Sequence, residues 1–378
     1  MKIAIIDADL IGKKKHRFPN LASMKISGYY KKMGHEVELK LDYNNLDQYN
    51  KVFISKVFTD TQIDEEILKL DNVEYGGTGF FYDKAPDLPY EIEHHMPDYH
   101  LYDEWVKNQI ENGTKEKDLE YYLNYSIGYT TRKCFRQCGF CVNKKYKKVE
   151  VHSPVDEFLD NDRKYITLLD DNILGYDKWE EIFNELNATG KRFQFKQGMD
   201  ERLLIPKRCE VILNSNYIGD YIFAFDDIRD KHLIERKLEM WVRAKRKLGN
   251  KRTTKFYVLC GFDENDKYDE EFWVGDIKNT FERIKILMKY GCIPYIMRYE
   301  KYEESPYRGM YVVLASWCNQ PSLFKKKSIR EYCTACQIKV KSKICSEKRY
   351  IQEFENKHQE IAKEYFDIKF EDFKDLKI

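Results

Sequence analysis

The stretch NYSIGYTTRKCFRQCGFCVNKK, residues 124–145, joins a short apolar run to three closely spaced cysteines. The run NYSIGY predicts a buried strand. Cys134, Cys138 and Cys141 follow it in the pattern C-x3-C-x2-C, with the aromatic Phe140 just before the last. Active residues of βα barrels lie at the carboxyl ends of strands and in the loops that follow. Close thiolates suit zinc or an iron–sulfur cluster. The stretch therefore predicts a metal centre at the end of a strand.

The number of ligands separates two kinds of metal centre. A structural zinc needs a fourth protein ligand, for which His152 or a remote cysteine is the candidate. A [4Fe–4S] cluster held by only three cysteines leaves one iron open to a ligand from outside the protein. An open coordination position is what a catalytic metal site needs. Spacing alone leaves both possibilities standing.

Five further strand patterns follow the cysteine loop and alternate with helical patterns, which is typical of repeated βα units. They predict a partial (βα)6 TIM-type barrel over residues 122–320. A small Lys-rich extension with a final charged helix then covers residues 321–378. The five patterns are KYITLLDD, RFQFKQG, YIFAFDD, KFYVLCGF and IPYIMRYE.

Upstream, residues 1–112 predict a Rossmann-like, doubly wound α/β domain. Its strands read KIAIID, HEVELKLD, KVFISKVF and VEYGG. Such sheets bind ligands at the carboxyl ends of their strands. Gly76, Gly77 and Gly79 lie there and serve either to let the backbone approach a ligand or to form a tight turn.

Composition narrows the class of protein. The 378 residues contain 65 Lys plus Arg and 64 Asp plus Glu, so the net charge of +1 gives no global reason to expect nucleic acid or membrane as a partner. The chain begins with no signal peptide, and no apolar run approaches the length of a membrane span. Ten cysteines in such a chain predict reduced thiols in a cytoplasmic protein that binds metal.

The motif C-x3-C-x-Φ-C (Φ aromatic) after the first strand of a partial barrel resembles the radical S-adenosylmethionine superfamily. The resemblance implies that Cys134, Cys138 and Cys141 hold a [4Fe–4S] cluster and that Phe140 lies beside the adenine of S-adenosylmethionine. It implies reductive cleavage to a 5′-deoxyadenosyl radical, which abstracts hydrogen from an unidentified small-molecule, peptide or nucleotide substrate. An electron donor such as flavodoxin or ferredoxin is the implied partner.

The resemblance also implies cofactor contacts at later strand ends. Asp170 and Asp171 end the second barrel strand, where the family holds the methionine amino group, although both are also good helix caps. Gln197 and Arg202 follow the third strand and are candidates to face the cofactor or substrate. Leu259 to Gly261, on the fifth strand, are candidates to pack against adenine.

The N-terminal domain resembles the cobalamin-binding domain that precedes the barrel in one branch of this superfamily. The stretch DADLIG (7–12) matches the pattern D-x-H-x-x-G except at Asp9, where a poorer cobalt ligand replaces histidine. Cobalamin binding therefore stays open. An alternative function is that of a cobalamin-dependent radical methyltransferase.

Four C-terminal cysteines, Cys318, Cys333, Cys336 and Cys345, could hold a second iron–sulfur cluster or a zinc ion, or could be ordinary thiols. A different functional class also fits the basic residues around the first three cysteines. It is a non-catalytic zinc- or cluster-containing protein that binds nucleic acid.

Three more cysteines (Cys209, Cys260 and Cys292) fall in apolar patterns and predict buried side chains. His94 and His95 are predicted to be surface residues of a connecting loop.

Overall fold

The computed structural model describes residues 1–13, 16, 18–338 and 344–373, which divide into two compact units. The first unit comprises Met1–Asp171 and Lys178–Lys196, and the second comprises Asn172–Asp177 and Gln197–Ile378. Both units combine helices with parallel sheets, which confirms the α/β class. The predicted domain boundaries (1–112, 122–320 and 321–378) stay a prediction.

The first unit begins with a four-stranded parallel sheet in the order β2-β1-β3-β4. Each predicted apolar run of the N-terminal domain forms one of its strands. The order reverses beside β1, so β1 and β3 flank a switch point of the kind found in doubly wound sheets. The strands are β1 (Lys2–Asp7), β2 (Glu36–Leu39), β3 (Lys51–Ser55) and β4 (Val73–Gly76). Alternate residues of β1 and β3 (Ala4, Ile6, Val52 and Ile54) lie in one buried core.

A second parallel sheet of the first unit surrounds the start of the cysteine loop. Its strands are β5 (Tyr125–Gly128), β8 (Tyr165–Leu168) and β9 (Arg192–Phe195), in that order. Between β5 and β8 the chain forms a short antiparallel pair, β6 (Thr131–Arg132) and β7 (Glu150–Val151). This pair brings together the two ends of the segment that carries the cysteines.

Two of the helices of the first unit, α1 and α2, begin with a side-chain cap. Asp7 caps α1 by accepting from the Leu10 N–H, and Asn20 caps α2 by accepting from the Ser23 N–H. The helices are α1 (Ala8–Gly12), α2 (Leu21–Lys32), α3 (Thr78–Phe81), α4 (Tyr90–Glu93), α5 (Asp103–Glu111), α6 (Glu120–Leu123) and α7 (Trp179–Ala188).

The second unit contains a parallel sheet in the order β10-β11-β12. Its strands are β10 (Tyr221–Ala224), β11 (Thr254–Cys260) and β12 (Ile293–Arg298). All six predicted barrel strands therefore form, and each triplet is parallel and ordered as in the chain. A single six-stranded barrel, and the Rossmann-plus-barrel layout as a whole, stay a prediction.

Helices make up much of the rest of the second unit. The predicted final charged helix is in fact two helices, α14 and α15, because the backbone at His358 leaves helical geometry. The helices are α8 (Pro206–Asn214), α9 (Lys231–Lys247), α10 (Glu270–Lys289), α11 (Arg308–Cys318), α12 (Pro321–Phe324), α13 (Ile329–Ile338), α14 (Ser346–Lys357) and α15 (Gln359–Tyr365). Within the described ranges, every helix is too short or too polar to cross a membrane.

Candidate metal centre

The cysteine loop surrounds two of its sulfurs with backbone donors. The Arg136 N–H donates to Sγ of Cys134 and the Asn143 N–H donates to Sγ of Cys141, each at 3.4 Å. The Cys141 N–H donates to the Cys138 carbonyl at 2.9 Å, which closes a turn between the second and third cysteines. Backbone N–H groups aimed at sulfur favour the thiolate form, the form that ligates metal. All three cysteines are half-buried.

Asp171 ties the two ends of the cysteine loop together. Its carboxylate accepts from the Lys133 N–H before the first cysteine and from Nδ2 of Asn143 after the third, both at 2.7 Å. Burial raises the pKa of Asp171, and these hydrogen bonds oppose the rise. Asp171 therefore has a clear role as a loop anchor, and its predicted contact with methionine stays a prediction.

Asp170 anchors the start of the same loop. It accepts hydrogen bonds from the backbone N–H and the hydroxyl of both Thr130 and Thr131, at 2.6 to 3.1 Å. Burial raises its pKa to about 6 despite these four bonds. The carboxyl thus joins the end of β8 to the segment that leaves β5.

Unusual backbone conformations concentrate at the cysteine loop. Of the five non-glycine residues with positive φ in the described part of the chain, Lys133 (74°) and Gln137 (52°) each directly precede a ligand candidate. A third, Tyr82 (48°), donates its hydroxyl to the Phe140 carbonyl at 2.7 Å. Such conformations cost about 1 kcal/mol or more each and cluster at functional sites.

A buried group of charges lies beside the start of the loop. Glu93 contacts Nζ of Lys25 at 2.9 Å, Nε2 of His152 at 3.1 Å and the guanidinium of Arg132 at 3.6 Å. Burial alone would raise the pKa of Glu93, but His152, Lys25 and Arg132 together lower it to about 2. Nδ1 of His152 contacts the Ser153 hydroxyl at 2.9 Å, so both ring nitrogens have protein partners. His152 is therefore a poor candidate for a fourth zinc ligand.

His94 and His95, predicted to be surface residues of a connecting loop, lie in the turn that follows α4 and are both partly buried; His94 also has specific partners. Its ring stacks on His152 and Nδ1 lies 2.9 Å from Oε2 of Glu157.

No three His, Cys, Asp or Glu side chains among the described residues lie close enough together to hold a single metal ion. An iron–sulfur cluster does not need such a group. Each of its thiolates binds a different iron atom, so the thiolates stand farther apart than the ligands of a single ion.

Four predicted cofactor residues belong to the second unit, and their approach to the cysteine loop stays a prediction. Arg202 is held by Asp200 at 2.8 Å and Asp230 at 2.9 Å. The Leu259 N–H donates to Asp226 at 2.9 Å and the Gly261 N–H donates to Asp276 at 2.8 Å. The fourth residue, Gln197, directly follows the Lys196 that ends the first unit.

Arg283, which was not singled out in the sequence, holds two strand ends of the second unit together. It is fully buried and donates to the carbonyls of Phe225, Asp226 and Leu259 at 2.7 to 3.1 Å. One guanidinium thus fixes the carboxyl ends of both β10 and β11. An arginine within the apolar face of a predicted helix was the available signal, since unpaired arginines are rarely buried.

The switch point of the N-terminal sheet is filled by the chain itself. Asp9 is fully buried, and its carboxylate accepts from the Val57 N–H at 2.7 Å and from the Thr61 hydroxyl. Asp7 accepts from the Tyr102 hydroxyl at 2.9 Å. Burial raises the pKa of Asp7 to about 7.

The glycine turn packs against the same segment. A Cβ on Gly77 would lie 2.3 Å from the Lys56 carbonyl oxygen, and one on Gly79 would lie 2.7 Å from Cγ of Lys56. The Gly79 N–H donates to that carbonyl at 2.9 Å. Gly77 and Gly79 are thus explained by contact with Lys56, whereas a Cβ on Gly76 would meet nothing within 4 Å.

The C-terminal cysteines separate into two groups. Burial, together with the neighbouring Cys336 and Cys345, raises the pKa of Cys333 to about 12. Cys318 instead lies near Cys260, whose charge raises the already high pKa of the buried Cys318 thiol. A second metal site stays a prediction. Cys209, Cys260 and Cys292 are buried, as predicted.

No protein-family model and no curated protein matches this chain. Two similar solved structures are of the cobalamin-dependent S-adenosylmethionine radical enzyme OxsB, one with aqua-cobalamin bound and one in the apo form. They are 13% and 14% identical to this chain, with a TM-score of 0.37 each. Each match covers 79% of this chain and 49% of the other, so the chain spans about half the length of these enzymes. A likeness this loose leaves function to be argued from the residues.

Proposed function

We propose that the chain is a radical S-adenosylmethionine enzyme with Cys134, Cys138 and Cys141 as ligands of a [4Fe–4S] cluster. The main support for this proposal is the cysteine loop. It follows the carboxyl end of β5 and directs backbone N–H groups at Sγ of Cys134 and Cys141. The motif C-x3-C-x-Φ-C with Phe140 at the aromatic position supports the same assignment.

The cysteine loop offers the donor set that such a cluster takes, which supports the proposal. When bound, a three-cysteine cluster supplies an electron and an open iron position for S-adenosylmethionine, whose cleavage yields the radical that abstracts hydrogen from a substrate. The chain contributes three thiolates, the N–H groups that stabilise them, and the anchors Asp170 and Asp171 that fix the loop. Phe140 is the proposed contact of S-adenosylmethionine in the first unit, and Gln197, Arg202, Leu259 and Gly261 of the second unit stay predictions drawn from the resemblance.

The test is anaerobic reconstitution with iron and sulfide, followed by chemical reduction in the presence of S-adenosylmethionine. We expect 5′-deoxyadenosine by mass spectrometry from the wild-type protein. The variant Cys138→Ala should form none and should lose the absorbance of the cluster, because two thiolates hold a cluster poorly. Cys209→Ala is the matched control, since Cys209 is a buried cysteine outside the loop.

Absence of 5′-deoxyadenosine from a protein that has taken up iron would contradict the proposal. Zinc in the purified protein, together with salt-dependent binding of nucleic acid, would favour the non-catalytic alternative. The engagement of His152 with Glu93 and Ser153 makes this alternative weaker, because it removes the nearest candidate for a fourth zinc ligand.

The residues at the N-terminal switch point do not fit cobalamin. Asp9 stands at the position of the histidine ligand, and its oxygens accept from Val57 and Thr61. Lys56 occupies the space beside Gly77 and Gly79. The cobalamin-dependent methyltransferase is therefore the less supported alternative, and formation of S-adenosylhomocysteine in the same assay would speak for it.

A further inference from the structure

We infer that the N-terminal sheet serves as a clamp on the cysteine loop, with the turn Tyr82–Asp83 as its contact element, and that it does not serve as a cofactor carrier. This inference rests on the proposed function for its consequence in catalysis. Its structural basis lies entirely within the first unit, which contains the sheet, the turn and the loop.

Among the described residues, hydrogen bonds of the chain itself occupy the place where doubly wound sheets bind ligands. Asp9, Thr61 and Val57 form a connected set of hydrogen bonds between the segments that follow β1 and β3. The loop after β3 then supports the glycine turn, because the Lys56 N–H donates to the Gly76 carbonyl at 3.1 Å and the Lys56 carbonyl accepts from the Gly79 N–H. In other doubly wound sheets this position binds a ligand. Here the Lys56 backbone bonds to the glycine turn and so fixes the start of α3.

α3 ends at the clamp. Tyr82 donates its hydroxyl to the Phe140 carbonyl at 2.7 Å. Nζ of Lys145 donates to the Asp83 carbonyl at 2.8 Å, and Nζ of Lys144 lies 3.5 Å from the Asp83 carboxylate. Two consecutive residues of the turn thus contact the loop before and after its last cysteine.

The geometry of the turn supports a specific role rather than incidental contact. Tyr82 has φ 48° and ψ −116°, a conformation that is costly for a residue with a side chain. Such a conformation persists where its surroundings enforce it. The hydroxyl of Tyr82 fixes the peptide that follows Phe140, which leads directly into Cys141. Tyr82 is therefore a positioning residue for both the aromatic side chain and the third ligand.

The test compares Tyr82→Phe with Tyr90→Phe, which removes the hydroxyl of an exposed tyrosine of the same unit. Hydrogen exchange of the metal-free protein is followed by mass spectrometry in peptides that cover residues 133–146. Loss of one hydrogen bond should speed exchange there about fivefold in Tyr82→Phe. Tyr90→Phe should match the wild-type protein. The unfolding midpoint of each variant checks that the fold is retained.

In the reconstituted protein, Tyr82→Phe should raise KM for S-adenosylmethionine about fivefold through the position of Phe140, and should release iron to a chelator faster than Tyr90→Phe through the position of Cys141. Wild-type exchange in residues 133–146 of Tyr82→Phe would overturn the inference. If exchange quickens but the wild-type protein cleaves no S-adenosylmethionine, the clamp stands and the proposed function fails.

Discussion

At the scale of single residues, Glu93 shows how a buried carboxylate is kept charged. It faces Lys25, Arg132 and His152, and the side chain of Lys25 is 5% exposed. Glu93→Gln should lower the free energy of unfolding by about 3 kcal/mol, because it leaves the buried ammonium of Lys25 without its counter-charge. Urea denaturation measures the loss. Glu150→Gln is the control, because its pairs with Lys133 and Lys148 are more exposed and their loss should change the free energy of unfolding far less.

The buried carboxyl group of Asp7 should make the free energy of unfolding depend on pH. Burial raises its pKa to about 7, so the folded protein binds a proton that the unfolded chain releases above about pH 4. The free energy of unfolding contributed by this group therefore falls as pH rises toward 7. Between pH 5 and pH 8 the wild-type protein should lose about 2 kcal/mol relative to Asp7→Asn, which carries no titrating proton. Equal pH profiles for the two proteins would show that Asp7 is already ionised when folded.

At the scale of elements, Asp171 determines whether the cysteine loop keeps its shape. Asp171→Ala removes the acceptor for the Lys133 N–H and the Asn143 amide. Loss of such an outer partner typically weakens metal affinity about 10- to 100-fold. We expect faster release of iron to a chelator from the reconstituted variant, followed by absorbance. An unchanged release rate would mean that the β6–β7 pair alone sets the shape of the loop.

Two glycines separate the effect of backbone conformation from that of close packing. Gly77 (φ 108°) and Gly113 (φ 89°) both lie in the positive-φ region, but only a Cβ on Gly77 meets another atom within 4 Å. Gly113→Ala should cost about 1 kcal/mol from conformation alone. Gly77→Ala should cost several kcal/mol, because its methyl group collides with the Lys56 backbone. Similar urea midpoints for the two variants would contradict the close approach.

The elements of the fold were largely predictable, and their contacts were not. Apolar runs such as KIAIID and YIFAFDD became strands because each fits a buried strand and is bounded by polar turns. The cysteines were predicted to follow the strand NYSIGY, and they do follow β5. Tyr82 and Glu93 were not singled out in the sequence, since they meet the loop and its flanking residues through contacts between residues distant in sequence. Asp170 and Asp171 were found by position, but their bonds to Thr130, Thr131 and Lys133 depend on the pairing of β5 with β8.

At the scale of the whole molecule, the proposal that the described residues of the switch point do not fit cobalamin predicts the response to added cobalamin. A ligand that binds the folded state raises its unfolding midpoint by mass action. Hydroxocobalamin in excess should leave the midpoint unchanged and should separate from the protein on gel filtration. S-adenosylmethionine should raise the midpoint of the reconstituted protein. Co-elution of one cobalamin per protein chain would contradict the proposal that the chain's own residues fill the switch point.

The buried carboxylate at position 9 also limits what protein engineering can do with this domain. Replacing Asp9 with histidine restores the letter of the D-x-H-x-x-G pattern, yet it leaves the Val57 N–H and the Thr61 hydroxyl without their acceptor. Lys56 would still cover Gly77 and Gly79. A grafted corrinoid site would therefore need the segment 56–61 rebuilt along with the histidine. In such a domain, the segment that follows β3 therefore indicates whether a corrinoid can bind better than the residue at position 9 alone does.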